Sequence, residues 1–426
     1  MENQLLPGIV VLNRNYFPDS EMSAYKVGAT HFALEIIKCL NENGSLLGII
    51  LYKRDETLSE PAIKNETLNG YNTITLFFNF RMNDESVMEA IDRAIVMLYR
   101  SETDNLIVYY HTDTIIQYHP KHIPACLTHH GPFVEDFIEN YSLIEAYKAF
   151  ESNEKVHHML EQQKRGLTTL LSNENIFVLQ HSNMQSRFLR NKGIRQDLIK
   201  AIIPPIIPIT VSEVNLGEKL QYFLKNISEN ELILTSNAAR IDYFKNMDLL
   251  IHSALELTKK NIPVKVIITG GSKVDEHKRE ALYKLIPENL RYRFMFTEKL
   301  SKLELYALFK IMKRKGIFVF TSRYETLGIT PLEAVLSGVC TIMPDSDLVE
   351  ASRFFPQKYK FSPSLEMLVD KLNELYFSKD YKTNEVNNYV GSIISEENFK
   401  KSFINMWSEI TTIVNEKKYS KSASCK

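Results

Sequence analysis

Two pairs of charged residues stand at spacings that could do chemistry. Arg240 and Lys245 lie five positions apart, after an apolar β-prone run and just before a helical one. Cations at a helix N-terminus oppose the helix dipole, so two of them point to an anion held between them; two solvated surface cations are the other reading. Glu325 and Glu333 lie eight positions apart, one in a loop and one in a helix's first turn. The backbone N–H groups of Thr326, Leu327 and Gly328 fall between them, and such groups beside a helix N-terminus suit a phosphate or a sugar oxygen. For Glu333 a structural use is equally open: Thr330-x-x-Glu333 reads as a capping box, with Thr330 as N-cap and Pro331 in the first helical position. Glu325 has no such use in view, although a loop Glu is commonly just solvated.

These side chains need elements to hold them. Phe318 to Phe320 is a short β-prone run, Thr330 to Ser337 a helix ended by Gly338, and Val339 to Met343 a second strand. Strand, loop, helix, strand places the acidic loop at a strand's carboxyl end, where open α/β sheets bind ligands. Upstream, Glu231–Leu234, Val264–Thr269 and Phe294–Phe296 read as strands, Met247–Leu257 as a helix, and Ser301-x-x-Glu304 as a capping box opening a helix to about Lys313. The first half alternates in the same way, with strands at 9–12, 46–51, 74–78, 106–110, 124–128 and 176–179, and helices at 31–40, 85–99, 141–165 and 182–189. Prolines 204, 205 and 208 exclude a regular central strand or helix and set the domain boundary. A last helix spans 397–413, and the tail 417–426 is expected to be disordered. The pattern implies two parallel-sheet domains facing a cleft.

Histidines punctuate the first half. His111 ends one strand, and His129-His130-Gly131 ends another. A lone His at a strand end is more often a hydrogen-bonded structural residue than a catalyst. His119, His122, His129 and His130 fit no standard metal cage, Pro120 and Pro124 break any shared helix face, and no Asp-x-Asp sequence occurs, so no metal is expected.

Composition bounds the rest. A chain of 426 residues has room for two domains of about 200 residues each. A formal net charge of −1 gives no global field to draw in nucleic acid or anionic lipid. Cysteines at 39, 126, 340 and 425 show no paired spacing, which favours reduced thiols in the cytoplasm over a disulfide framework. Neither a signal peptide nor an apolar run of the roughly 20 residues that cross a bilayer is expected.

Glu325-Thr326-Leu327-Gly328-Ile329-Thr330-Pro331-Leu332-Glu333-Ala334, with Gly338 behind it, resembles the donor-site signature of retaining GT-B glycosyltransferases of family 4 (group 1). That signature is a Glu, a small or glycine-rich stretch, a second Glu after seven intervening residues, then Ala and a helix-ending Gly; Thr326 stands here in place of the usual glycine. Arg240-Ile241-Asp242-Tyr243-Phe244-Lys245-Asn246 is similar to the same family's diphosphate clamp, with Ala239 where a Gly usually precedes the Arg. Tyr16-Phe17-Pro18 followed by Val27-Gly28 resembles the family's first loop, and Thr128-His129-His130-Gly131 the His-Gly at its cleft. By that match His130 is the cleft histidine, with His129 the competing choice. Glu350 resembles a further Glu near a helix start.

The resemblance implies an α/β fold of GT-B type, with two Rossmann-like domains and a central cleft. Residues 1–205 would bind the acceptor, with a C-terminal helix at about 395–416 packing back on them, and 206–394 would bind the nucleotide-sugar. The implied activity is sugar transfer from a nucleotide-sugar, most often a UDP-sugar, to an acceptor hydroxyl with retention, needing no metal or other cofactor. Catalytic roles fall to His130, Glu325, Arg240 and Lys245; donor contacts to Arg240, Lys245, Glu325, Thr326, Leu327, Gly328, Ile329, Glu333 and Gly28. The acceptor is open among saccharide, lipid-linked sugar, protein and small molecule, and a homo-oligomer or partner subunit is a further option. Alternatives are a GT-B epimerase or phosphorylase, or a catalytically silent GT-B subunit that steadies a partner enzyme.

Overall fold

Near-continuous apolar runs such as Ile9-Val10-Val11-Leu12 suit strands buried on both faces, and they form the centres of two sheets. The computed structural model describes residues 5–18, 28–99, 105–211 and 215–424. The chain divides into two units: Met1–Asn140 with Ser152–Pro205 and Glu396–Lys426, and Tyr141–Glu151 with Ile206–Ser395. The division thus falls at residue 205, but residues 141–151 cluster with the second unit, where the sequence reading has them in the first.

In the first unit the strands are β1 (Gly8–Asn13), β2 (Leu46–Arg54), β3 (Ala62–Leu68), β4 (Tyr71–Phe78), β5 (Ile107–Tyr110), β6 (Ala125–Leu127), β7 (Ile176–Gln180) and β8 (Ile199–Ala201). Among the described residues they form one sheet in the order β3-β4-β2-β1-β5-β6-β7-β8. All pairs are parallel except β3 with β4, a hairpin turned by Asn69 and Gly70, both at positive φ as the type I′ two-residue turn requires. One face packs against the helix Asp84–Leu98, the other against Gly28–Glu42 and the last helix, Glu396–Ser424. From that last helix Phe399, Phe403, Met406, Trp407, Ile410 and Val414 enter the core, and the Trp407 indole donates to the Leu6 carbonyl at 2.9 Å.

The second unit has β9 (Leu232–Ala238), β10 (Val264–Gly270), β11 (Phe294–Thr297), β12 (Gly316–Val319), β13 (Cys340–Pro344) and β14 (Lys360–Phe361). Their order is β11-β10-β9-β12-β13-β14, parallel throughout. Strand order reverses at β9: the chain steps outward from β9 to β11, then returns to β9's other side as β12. Helices Met247–Lys259, Lys302–Met312, Ile329–Leu336 and Leu365–Ser378 cover the faces.

Several expectations change. The helix expected over 141–165 is two, Leu143–Phe150 and Asn153–Ser172, because Glu151 turns left-handed (φ 72°) and the Ser152 side chain caps the second by accepting from the Lys155 N–H. The last helix continues to Ser424, through most of the tail expected to be disordered; its lysines favour helix, and Lys417 bonds the Glu174 carbonyl at 2.7 Å. Polar β3 and the short β8 and β14 were invisible to an apolar-run reading. Val27 and the rest of the loop before Gly28 lie outside the described residues; Gly28 itself opens the first helix. No described helix is long and apolar enough to cross a membrane.

Candidate functional site

The loops that leave β9 and β12 at their carboxyl ends lie side by side, because those strands are neighbours at the reversal of strand order. This is where doubly wound sheets collect ligands. The first loop carries Arg240 and a single 3₁₀ turn, Tyr243–Lys245; the second carries residues 320–328. They are sewn together through backbone. The Arg323 N–H donates to the Phe244 carbonyl at 2.8 Å, the Arg323 guanidinium to the Tyr243 carbonyl at 2.9 Å, and the Thr321 hydroxyl to the Lys245 carbonyl at 2.8 Å.

That stitching brings Lys245 to Glu325. The ammonium forms an ion pair and hydrogen bond with the carboxylate, both side chains are about four-fifths buried, and the ammonium stands 5.8 Å from the centre of the Phe320 ring. Arg240 takes a different partner. Its Nε lies 3.6 Å from Asp242 Oδ2, and its side chain is 71% exposed. Asp242, which sequence reasoning passed over, is only 6% exposed at its side chain. Burial raises its pKa, against the pull of Lys245 and Arg240.

Glu325 is anchored by its backbone. Its N–H donates to Leu348 at 2.8 Å, its carbonyl accepts from Glu350 at 3.0 Å, and it forms a parallel bridge with Val349. Glu350 is buried and paired with Arg353. Thr326 and Leu327 are buried, and Gly328 swings the chain into the next helix with φ +84°. That helix begins at Ile329, and no side chain caps it. Thr330 therefore lies inside the helix, and the Thr330–Glu333 capping box is overturned: left-handed Gly328 starts the helix before Thr330 can act as N-cap. The uncapped start at Leu327-Gly328-Ile329 leaves helix-terminal N–H groups and the positive end of the dipole for an anion or a sugar oxygen.

Glu333 consequently has a different partner, Lys302, on the helix Lys302–Met312. Burial pushes the Glu333 carboxyl pKa up, and the Lys302 charge opposes the rise. Sequence reasoning missed Lys302, although the Ser301–Glu304 capping box it recognised is present and sets Lys302 at that helix's first position. A cation at a helix N-terminus is the same signal that singled out Lys245.

In the first unit three consecutive strands, β5, β6 and β7, run out into histidines: His111, His129-His130 and His181. One nitrogen of His130 shares a hydrogen bond with one of His111 at 3.2 Å, and their rings are 4.5 Å apart. His181 stacks on His130 at 5.5 Å, and Phe32 touches both rings. Burial holds the His111 pKa at about 3. His130 is held well below its ordinary value by burial and then by its imidazole neighbours. Both are neutral imidazoles near pH 7. His129 points elsewhere, with Nδ1 at 2.9 Å from Asp113 and its ring stacked 3.9 Å from Phe133. Of the competing pair, His130 is the one that joins the strand-end cluster. His181 was missed, though the end of its strand carried the same signal as the other two.

The family profile described as Glycosyl transferases group 1 matches residues 221–383, which include Arg240, Lys245, Glu325 and Glu333. No curated protein matches the chain in sequence. Among solved structures it is similar to the α,α-trehalose 6-phosphate synthase of Burkholderia multivorans, with 11% identity, 97% of this chain and 100% of that one covered, and a TM-score of 0.64. It is likewise similar to Anabaena HepE in complex with UDP and glucose, with 12% identity, 94% and 99% covered, and a TM-score of 0.61. A third is the sucrose-phosphate synthase of Thermosynechococcus elongatus, with 13% identity, 98% and 100% covered, and a TM-score of 0.60. The chain therefore carries a group 1 glycosyl transferase domain in residues 221–383, within a GT-B fold.

Proposed function

We propose that the protein is a retaining glycosyltransferase that moves a sugar from a nucleotide-sugar to an acceptor hydroxyl. The observation that carries this reading is the pairing of Lys245 with Glu325 where the loops of β9 and β12 meet, beside an uncapped helix start. A diphosphate leaving group needs positive charge placed where its own charge develops, and Lys245 and Arg240 would supply it without a metal. Glu325 would hold sugar hydroxyls, helped by the backbone from Thr326 to Ile329, and Glu333 would accept from ribose. The acceptor oxygen bonds to the anomeric carbon on the face from which the diphosphate departs. The bond from that carbon to the phosphate oxygen breaks, and this oxygen takes the acceptor's proton. No protein nucleophile is required. His130, with its neighbours at the ends of β5 to β7, falls on the acceptor side.

A UDP-sugar is the favoured donor, as the HepE structure holds UDP and glucose. The buried free thiols of Cys39, Cys126 and Cys340 support a reducing, cytoplasmic setting. The test is calorimetry with UDP, ADP and GDP, followed by a screen for nucleotide release that depends on acceptor. Binding of one nucleotide and acceptor-dependent release support transfer. Release without acceptor would favour an epimerase. Binding of none would favour a silent subunit.

A further inference from the structure

Arg240, Asp242, Lys245 and Glu325 make a closed set of two cations and two anions, and one anion is hard to account for as scaffolding. Asp242 is nearly buried, its Oδ1 has no hydrogen-bond partner, and its Oδ2 faces the Arg240 guanidinium at 3.6 Å. Its side chain does not cap the turn Tyr243–Lys245 that follows it. A buried carboxylate with an oxygen left over is a standing cost, and such groups call for an explanation. Burial disfavours its charged form, and so does Glu325, while the charges of Lys245 and Arg240, and more weakly the Lys245 backbone N–H, favour it.

We propose that Asp242 is a resident anion of the donor site, holding Arg240 in the empty protein and yielding it to the diphosphate of a bound nucleoside diphosphate. This rests on the reading of Arg240 and Lys245 as the diphosphate clamp. Like charges close together oppose one another, so a carboxylate at this position weakens the hold on the diphosphate. It also offers Arg240 a replacement partner when the spent nucleotide leaves. Asp242 thereby acts as a positioning residue that favours turnover over tight product binding. A merely structural Asp242 would do the reverse: losing it would free Arg240 to wander and loosen the nucleotide.

The two roles differ in the sign of one measurement. Calorimetric titration of the wild-type protein and Asp242→Asn with UDP, ADP and GDP gives that sign directly. The variant is expected to bind the preferred nucleotide about tenfold more tightly, from removal of one like charge at close range. Product inhibition in the transfer assay should deepen in step. Weaker or unchanged nucleotide binding by Asp242→Asn, with wild-type binding intact, overturns this inference alone. Failure of both proteins to bind any of the three overturns the clamp and this inference with it. Thermal unfolding of the variant near the wild-type midpoint excludes a folding defect; should Asp242→Asn unfold, Asp242→Ser is titrated in its place, with the same expected sign.

Discussion

At the scale of single residues, the charge on Lys245 has the most to do. It is held by Glu325, by Phe320 and, through its carbonyl, by Thr321, so removing the ammonium leaves the turn's backbone contacts in place. Lys245→Ala should lower turnover by about 10²- to 10³-fold, as loss of a preorganised charge partner does, with little change in the melting midpoint. Steady-state rates beside thermal unfolding of the same preparation check it; near wild-type transfer refutes the clamp. The buried histidines make a second prediction. His119 Nε2 donates to the Ile123 carbonyl and its Nδ1 accepts from the Tyr110 hydroxyl, both at 2.8 Å, so protonation would cost a hydrogen bond. Burial holds His119 at about 4 and His111 at about 3, below the ordinary 6.5. Between those values and 6.5 the unfolded chain binds protons that the folded one does not. Stability is therefore full above about 6.5 and falls as pH drops, by about 1.4 kcal/mol per pH unit for each such histidine. Urea unfolding at pH 7.5, 6 and 5 reads this directly, and a flat profile contradicts it.

At the scale of elements, the start of the helix Ile329–Leu336 decides the site. Gly328 takes φ +84°, and a Cβ there would meet the Ala351 Cβ at 3.0 Å. Gly328→Ala should cost about 1–2 kcal/mol from backbone strain alone and should weaken nucleotide binding, because the helix start moves with it. Urea unfolding and titration with UDP test the two effects separately; a variant with wild-type stability would show that the turn tolerates a side chain. This element was largely legible beforehand. Strand, loop, helix and strand all read from apolar runs and Gly338, but the N-cap did not, because Thr330-x-x-Glu333 matches the local pattern of a capping box. Only the left-handed turn at Gly328 and the presence of Lys302, 31 positions before Glu333, rule that pattern out. A local rule cannot weigh a partner that far away in the chain.

At the scale of the whole molecule, the last helix completes the first unit rather than the second. Trp407 is fully buried against β1 and the first helix, so Trp407→Ala should destabilise that unit by about 3–5 kcal/mol. Arg240, Lys245, Glu325 and Glu333 all belong to the second unit, so affinity for the nucleoside diphosphate should survive wherever the variant stays folded. Urea unfolding with calorimetry on the same samples checks both; loss of nucleotide binding while the fold persists would show that the units are not independent in this respect.

The chain alone determined the alternation of strands and helices, the positions of the functional loops at strand ends, and the residue types that suit a diphosphate and a sugar. These depend on periodicity and on spacing within about ten residues, which local physics reads. The tertiary structure decided who pairs with whom: Lys245 with Glu325, Arg240 with Asp242, Glu333 with Lys302, and His111, His130 and His181 in one cluster. Most of those contacts join residues 19 to 80 positions apart, brought together only by strand order. That order follows from how whole faces are buried, which no single stretch of sequence contains.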